Sequence, residues 1–515
     1  MGASVLAAGD ELSRFPLGEQ AVVGAMEPDL VASRTDPLHE VRTLPGEVAD
    51  HERREPDAAV GESTQQCVHR GVQAALGPAV LLDIDGAGDG HDAPNVAPGR
   101  RCEAPEARQR PMVRFFVPDP ADPDPVDEDE ATKLGDIAAG AGLARVHFLA
   151  WRDLDDPEAG GSEVHAHEIA RRWARAGIDI TFRTSYAPGQ AQVEWRDGYR
   201  VIRRAGRYGV FPRAAFSEAT GRHGGRDALV EIWNGMPFFS PLWAKGPSIT
   251  FLHHVHAEMW DMTLPPNLAR VGRGIESTLA PPLYRRKRIV TLSESSREEL
   301  IHDLHFRSSR VSVVEPGIDT RFTPGPEPHV RDPDPLVVAV GRLVPVKRFD
   351  RLVDVLATVK ARQPRLRAVI VGEGYERNAL ESLIAAHGAE EWIELPGRID
   401  DADLVALYRR AWIVASASAR EGWGMTLTEA AACGTPAVVT DIAGHRDAID
   451  DGVTGILARD PNGLVEGLDR LAGDEVLRRT MGLAAAERAT RFTWDTTARR
   501  VLEVLADEAG RAHSR

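Results

Sequence analysis

The sequence predicts two doubly wound α/β domains, each built on a parallel sheet, facing one another across a cleft behind a largely disordered N-terminal segment. Three observations carry this expectation. Short apolar runs alternate with amphipathic helical stretches from about Ala144 onward, the pattern of a parallel sheet covered on both faces. The alternation stops at the Pro-rich stretch TPGPEPHVRDPDP and then restarts. At 515 residues the chain is too long for one ordinary hydrophobic core.

ARVHFLAW is the first expected strand, and GGSEVHAHEIARRWARAG the first helix, with Ser162 placed to cap its start and Gly177 its end. IDITFRTS, RVIRRAG, DALVEIWN, PSITFLHH and KRIVTLSE continue the strands of a first domain over residues 144–327. Residues 328–490 form the second, with PLVVAVGR, RAVIVGEG, WIELPG, AWIVAS, PAVVTD and GILA as strands. Between the first two of these, Phe349, Leu352, Val353, Leu356 and Val359 line one face of a helix.

Residues 1–143 lack such periodicity. They are rich in Pro, Gly, Ala and charge, and the stretch from Val117 to Lys133, VPDPADPDPVDEDEATK, is expected to be an extended, solvated linker. ALGPAVLLDIDG is compatible with a strand but has no evident partner. A competing expectation is that translation starts downstream, near Met112, and that the preceding residues stem from a mis-assigned initiation codon.

A net charge of −16 argues against a general nucleic-acid binder, since nothing offsets repulsion from phosphates. Cys67, Cys102 and Cys433 have neither metal-site nor disulfide-framework spacing, which fits a reducing cytoplasm. No apolar run approaches the roughly 20 residues of a membrane span, and the first residues lack a secretory pattern. The expectation is a soluble cytoplasmic protein.

In doubly wound sheets, ligands sit outside the carboxyl ends of the strands. There, REGWGMTLTEAAACGTPAVVT places Glu421 on a loop and Glu429 just inside a helix. The opening amides at Met425, Thr426, Leu427 and Thr428, preceded by Gly424, suit a phosphate. Two glutamates that merely stabilise a helix start are the plain alternative. Arg342 and Lys347, close together after a strand, can offset the charge of a departing diphosphate, or can be solvated cations at a helix start. Gly160 and Gly161 allow the backbone close to a phosphate, although glycines before helices are common.

The segments VGRLVPVKRFD, VGEG, LPGRIDDADLVALYRRA and REGWGMTLTEAAACGTPAV resemble the nucleotide-binding domain of retaining glycosyltransferases of family four. GGSE, LSESSREELI and VVEPGIDTRFTPG resemble that family's N-domain landmarks, so the likeness runs from about Ala144 to Leu505. It implies the two-domain GT-B fold with Rossmann-like halves, and a closing helix in residues 491–515 that crosses back to the first domain. It further implies that Arg342 and Lys347 grip the diphosphate without a metal or other cofactor. Glu429 would hold the nucleotide ribose, Glu421 the donor sugar, and Arg398 with Ile399 would line the base. The nucleotide-diphosphate sugar is then a co-substrate, and the partner an acceptor hydroxyl on a glycan, a small molecule or a lipid-linked carrier.

The family also places a histidine after the strand ending in FLHH. Counting from Gly246 favours His253, with His254 and His256 as competitors. A metal site of the three histidines with Glu258 is the alternative, weakened because alternation along a strand splits them between faces. Where relatives carry a glutamate-containing turn, this chain has DIAGHRDAIDDG, so His445 or Arg446 is expected to reshape the sugar contacts. MPFFSPLW can serve an apolar acceptor or the core, and Arg285 to Arg288 (RRKR) can touch anionic lipid at the inner membrane face or end a solvated helix. A same-fold nucleotide-sugar epimerase or phosphorylase and a non-catalytic nucleotide-sugar-binding protein are the rival functions.

Overall fold

Short apolar runs, most of them buried on both faces, fold here into two sheets that are parallel apart from one edge hairpin. The computed structural model describes residues 124–186, 189–326 and 331–513. The first domain contains β1 (Arg145–Leu149), β2 (Asp179–Thr184), β3 (Val193–Arg196), β4 (Tyr199–Arg203), β5 (Ala228–Ile232), β6 (Ser248–Phe251), β7 (Arg288–Thr291) and β8 (Val311–Val313). The second contains β9 (Leu336–Val340), β10 (Arg367–Val371), β11 (Ile393–Gly397), β12 (Ile413–Ser416), β13 (Ala437–Thr440) and β14 (Gly455–Ala458). Their orders are β3-β4-β2-β1-β5-β6-β7-β8 and β11-β10-β9-β12-β13-β14. Every pairing is parallel except β3 with β4, a two-residue hairpin at the sheet edge. That hairpin turns through Asp197 and Gly198, both at positive φ, which its tight turn requires.

The helix Phe349–Arg362 buries Phe349, Leu352, Val353, Leu356 and Val359 against the second sheet, the face its spacing predicts. The helix Gly161–Arg175 differs from expectation at its start. Gly160, and not Ser162, is the cap residue, and the Glu163 carboxylate accepts from the Gly160 amide at 2.8 Å. Gly177 follows the last turn at φ +87°, where the Ile178 amide donates back to the Trp173 carbonyl.

The expectation of an extended solvated linker up to Lys133, and of disorder up to residue 143, is corrected by a helix at Glu128–Ala141. The Asp127 carboxylate accepts from the amides of Asp129 and Glu130 at 2.8 and 3.1 Å. Glu128, Asp129 and Glu130 sit in the first turn, where a helix favours negative charge, so the acid run starts the helix that it was expected to prevent. Leu134 and Ala138 are buried in the first domain's core. The reading of residues before 124, including Met112 and the lone-strand patch, lies outside the described residues.

The C-terminal helix Trp494–His513 joins that same core. Ala498, Val501, Leu502, Leu505 and Ala509 pack with Leu134, Phe148 and Trp173, and the Trp173 indole donates to the Ala498 carbonyl at 2.9 Å. The two passages between domains run side by side, with the Ile318 amide donating to the Phe492 carbonyl at 3.0 Å and Ile318 bridged to Thr493.

Candidate functional site

The ends of β1, β6, β9 and β12 converge on one cleft. Two residues past β9 stands Arg342, and the short turn Pro345–Lys347 then lifts Lys347 to the start of the following helix. Beyond β12, the loop through Ser418 and Glu421 leads through Gly424, at φ +103°, into the helix Met425–Ala432. Lys347 Nζ contacts Glu421 Oε1, and the Ser418 hydroxyl donates to the same oxygen at 2.9 Å. Burial pushes the Glu421 carboxyl up, but the charges of Lys347 and His445 and the bonds from Lys347 and Ser418 outweigh it. The group is therefore held below the ordinary glutamate value.

The first domain presses its glycine turn onto this cluster. A β-carbon at Gly160 would lie 3.5 Å from Arg342 Nε, and one at Gly161 would meet Met425 Sδ at 2.9 Å. At Gly160 that is ordinary van der Waals contact, whereas at Gly161 the Met425 side chain of the opposite domain would have to shift. Gly422 marks a second close approach, since a β-carbon there would fall 2.6 Å from the His253 carbonyl oxygen and 3.5 Å from His254 Nδ1.

The histidines after β6 part company. The His253 ring turns into the first domain, lying against Phe251 and edge-on to His165 with ring centres 5.1 Å apart, and burial pushes its pKa down to about 3. His254 is the residue that faces the loop of the second domain. Burial first, then the positive charges of His256, Arg420, Lys347 and Arg342, hold it well below the ordinary histidine value, so it is neutral. His256 stacks on His254 at 4.8 Å, and its backbone amide donates to Glu276 at 2.8 Å.

The amide expectation is narrowed as well. Leu427 and Thr428 both donate to the Gly424 carbonyl, at 2.9 and 3.4 Å, leaving Met425 and Thr426 as the opening donors of the helix. Glu429 is half-buried and accepts from the Tyr408 hydroxyl at 3.3 Å. Its carboxyl is pushed up to about 7, by burial first and then by the charges of Asp401 and Asp319, against the Tyr408 bond. Arg398 donates to the Pro157 carbonyl of the first domain, while Ile399 packs on the second domain's core. Arg446 is drawn outward to Asp441 at 2.5 Å, whereas His445 is buried, with Nδ1 2.8 Å from the Thr440 carbonyl. The pair therefore splits, and only His445 lies under the Glu421 loop. Phe238 of MPFFSPLW is core, and Arg288 of RRKR donates to the Ser309 carbonyl at 2.8 Å from within β7.

The Glu429 shift has a testable sign. The folded state keeps this proton to about pH 7, while the unfolded chain releases it near the ordinary glutamate value, so stability falls as pH rises between about 4.5 and about 7. Glu429→Gln is expected to flatten that fall and to raise Tm above neutral pH, in thermal melts taken across this range. An unchanged pH profile would show that the group titrates normally.

Residues 326–488 match the family model for glycosyl transferases group 1, and residues 159–322 match that for glycosyltransferase family 4. A D-inositol 3-phosphate glycosyltransferase of Salinispora arenicola is 30% identical over 398 residues, 68% of this chain and 88% of the relative. The chain belongs to glycosyltransferase family 4. A second relative of that name, from Kineococcus radiotolerans, is 30% identical over 420 residues, covering 70% of this chain and 94% of its own. Among solved structures, sucrose-phosphate synthase of Thermosynechococcus elongatus superposes with a TM-score of 0.61 at 19% identity, over 69% of this chain and 97% of that one. Anabaena HepE, solved with UDP-glucose, reaches 0.53 at 18% identity, over 70% and 99%. These likenesses show the GT-B fold, and the protein is a GT-B glycosyltransferase.

Several residues of this family 4 cleft escaped sequence reasoning. Arg152, buried just past β1, donates to Glu163 at 3.3 Å and adds a third cation beside Arg342. Arg420 reaches across the cleft to the Val255 carbonyl at 2.9 Å and to Glu299. Asp447 accepts from the Glu294 amide at 3.0 Å and from Ser295, whose hydroxyl also receives the Gly444 amide at 2.9 Å. Arg152 precedes the GGSE motif and Arg420 opens REGWG, so their position carries a signal; the Asp447 clasp carries none, because its partners are 152 and 153 residues away.

Proposed function

We propose that the protein moves a sugar from a nucleoside-diphosphate sugar to an acceptor hydroxyl with retention of anomeric configuration and without a metal. One observation carries the reading: Lys347 on Glu421, Arg342 against the Gly160 turn and the opening amides of Met425 and Thr426 all meet at strand carboxyl ends. A departing diphosphate concentrates negative charge, and fixed cations with amide donors in a water-poor cleft stabilise it. Arg342 and Lys347 supply the positive charge that a divalent ion would otherwise bring. Glu421, tethered by Lys347 and Ser418, is a weak nucleophile, which favours departure and attack on the same face of the sugar. The leaving oxygen then takes the acceptor proton. We assign the hydrogen bond to the donor sugar to neutral His254 in place of His253, a reading supported by its position beside Gly422 and near Lys347 and Arg342.

HepE, crystallised with UDP-glucose, supports a uridine nucleotide as the first donor to try, followed by GDP-sugars. The names of the relatives support a polyol hydroxyl among the acceptors, beside glycan and lipid-linked ones. Among the described residues no helix is long and apolar enough to cross a membrane, and we place the activity in the cytoplasm, up to the inner membrane face. Nucleoside-diphosphate release with a panel of donors and acceptors in EDTA, with NMR of the product anomer, tests the proposal. An inverted product overturns retention, a strict metal requirement overturns metal independence, and donor interconversion without acceptor points to an epimerase.

The histidines give a sharper check. His254→Ala is expected to lower kcat by about 10²-fold or more at nearly unchanged Tm. His253→Ala, which empties a core site, is expected to cost about 2–4 kcal/mol of stability. The reverse pattern, read by kinetics and thermal melts, would return the role to His253.

A further inference from the structure

Far from the residues around Lys347 and Glu421 in the sequence, a hollow of about 390 Å³ opens beside the helix Val210–Ala219, lined by Arg183, Arg204, Arg213, Arg222, His223 and Phe216. It shares no lining residue with the transfer cluster. Arg183 is the built part. Its side chain is 2% exposed, it donates to the Ser217 hydroxyl at 2.5 Å, and its Nε is buried with no acceptor among the described residues. The Glu218 carboxylate, 3.4 Å from Arg183, is already shared with Arg226 at 3.3 Å and His147 at 2.9 Å. Arg204, Arg213 and Arg222 have no ion-pair partner among the described residues, although acidic residues outnumber basic ones by 78 to 62 in the whole chain. Arg200, tied to Thr181 at 2.9 Å, adds its charge, and His223 is pushed down to about 4 by burial and then by Arg183 and Arg200.

So many guanidinium groups around one hollow repel each other, and a bound anion would relieve that repulsion. The volume lies within the roughly 300–1,000 Å³ of small-molecule sites, more than a bare phosphate fills. Guanidinium forks match the oxygens of a phosphate ester, and exposed Phe216 offers an apolar edge for what carries it. We propose that this hollow is a second anion site, which takes a phosphate monoester borne on a small polyol or on a lipid headgroup.

The test uses the full chain and calorimetric titration with glucose 6-phosphate, in wild type, in Arg213→Ala/Arg222→Ala and in Arg342→Ala/Lys347→Ala. Arg213 and Arg222 are exposed, so their loss leaves the fold intact. Glucose 6-phosphate is expected to bind and to raise Tm in wild type and in Arg342→Ala/Lys347→Ala. Binding should weaken at least about tenfold in Arg213→Ala/Arg222→Ala, whose ligand-free Tm rises as repulsion is removed. The lipid arm is sedimentation with vesicles of phosphatidylcholine, with and without phosphatidylinositol 4-phosphate. Capture by the phosphoinositide alone, lost in Arg213→Ala/Arg222→Ala, assigns the lipid source when the soluble ester does not bind. The proposal is overturned if neither probe binds, if binding survives in Arg213→Ala/Arg222→Ala, or if it is lost only with Arg342 and Lys347.

Discussion

Lys347→Ala is expected to lower turnover by about 10²–10³-fold, the scale for removing one fixed donor to a developing negative charge. Lys347 also neutralises Glu421, so a fall in rate alone does not separate a charge that acts on the diphosphate from one that only holds the loop. The pair of substitutions separates them. Glu421→Gln on its own removes a carboxylate whose ionised form depends on Lys347 and Ser418. If the contact merely holds the loop, Lys347→Ala/Glu421→Gln leaves no buried charge unpaired, and activity recovers toward wild type. If each group acts on the donor, the double variant is at least as slow as either single one. We expect the second pattern, with Tm close to wild type in Glu421→Gln and in the double variant and lowered in Lys347→Ala, which leaves the Glu421 carboxylate without its cation. Steady-state kinetics of the four proteins completes the cycle, and recovery in the double variant would reduce the pair to a structural ion pair.

The legible parts of this cleft were those fixed by position relative to a strand end. Lys347, Arg342 and Glu421 lie within a few residues of β9 and β12, and apolar runs of that length end where they stop being apolar. The histidines were harder, because extended backbone sends neighbours to opposite sides. Phe251 and His253 share the inward face, so His254 is the one turned to Gly422, and a count from Gly246 that is off by one residue exchanges the two. The helix Glu128–Ala141 was hidden by its own charge, since a row of acids resembles a linker until Asp127 is seen to cap it. At Met425–Ala432, φ +103° at Gly424 turns its carbonyl onto two amides that the sequence leaves open. Contacts between distant segments, such as Asp447 with Ser295, exist only once both domains are folded and close.

A chain ended after Thr493 is expected to yield no soluble folded protein. The helix Trp494–His513 lies at the end of the sequence, after the second domain, yet its apolar face completes the core of the first. Val501, Leu502 and Leu505 are fully buried there, and burying such side chains is worth about 1.5–3 kcal/mol each. Their combined loss is of the order of the roughly 5–15 kcal/mol that holds a domain folded. Truncation also strips the Trp173 indole of its acceptor at Ala498 and removes Asp495 from the Arg172 guanidinium, which it meets at 2.7 Å. The single substitution Leu502→Ala is the graded form, with an expected cost of about 2–5 kcal/mol in denaturant unfolding. Gly317 sharpens the dependence, because a β-carbon there would fall 2.3 Å from the Trp494 amide nitrogen, so the helix start is fitted against the passage between domains. A truncated chain that stays soluble and melts within a few degrees of wild type would show that the first domain's core closes without this helix.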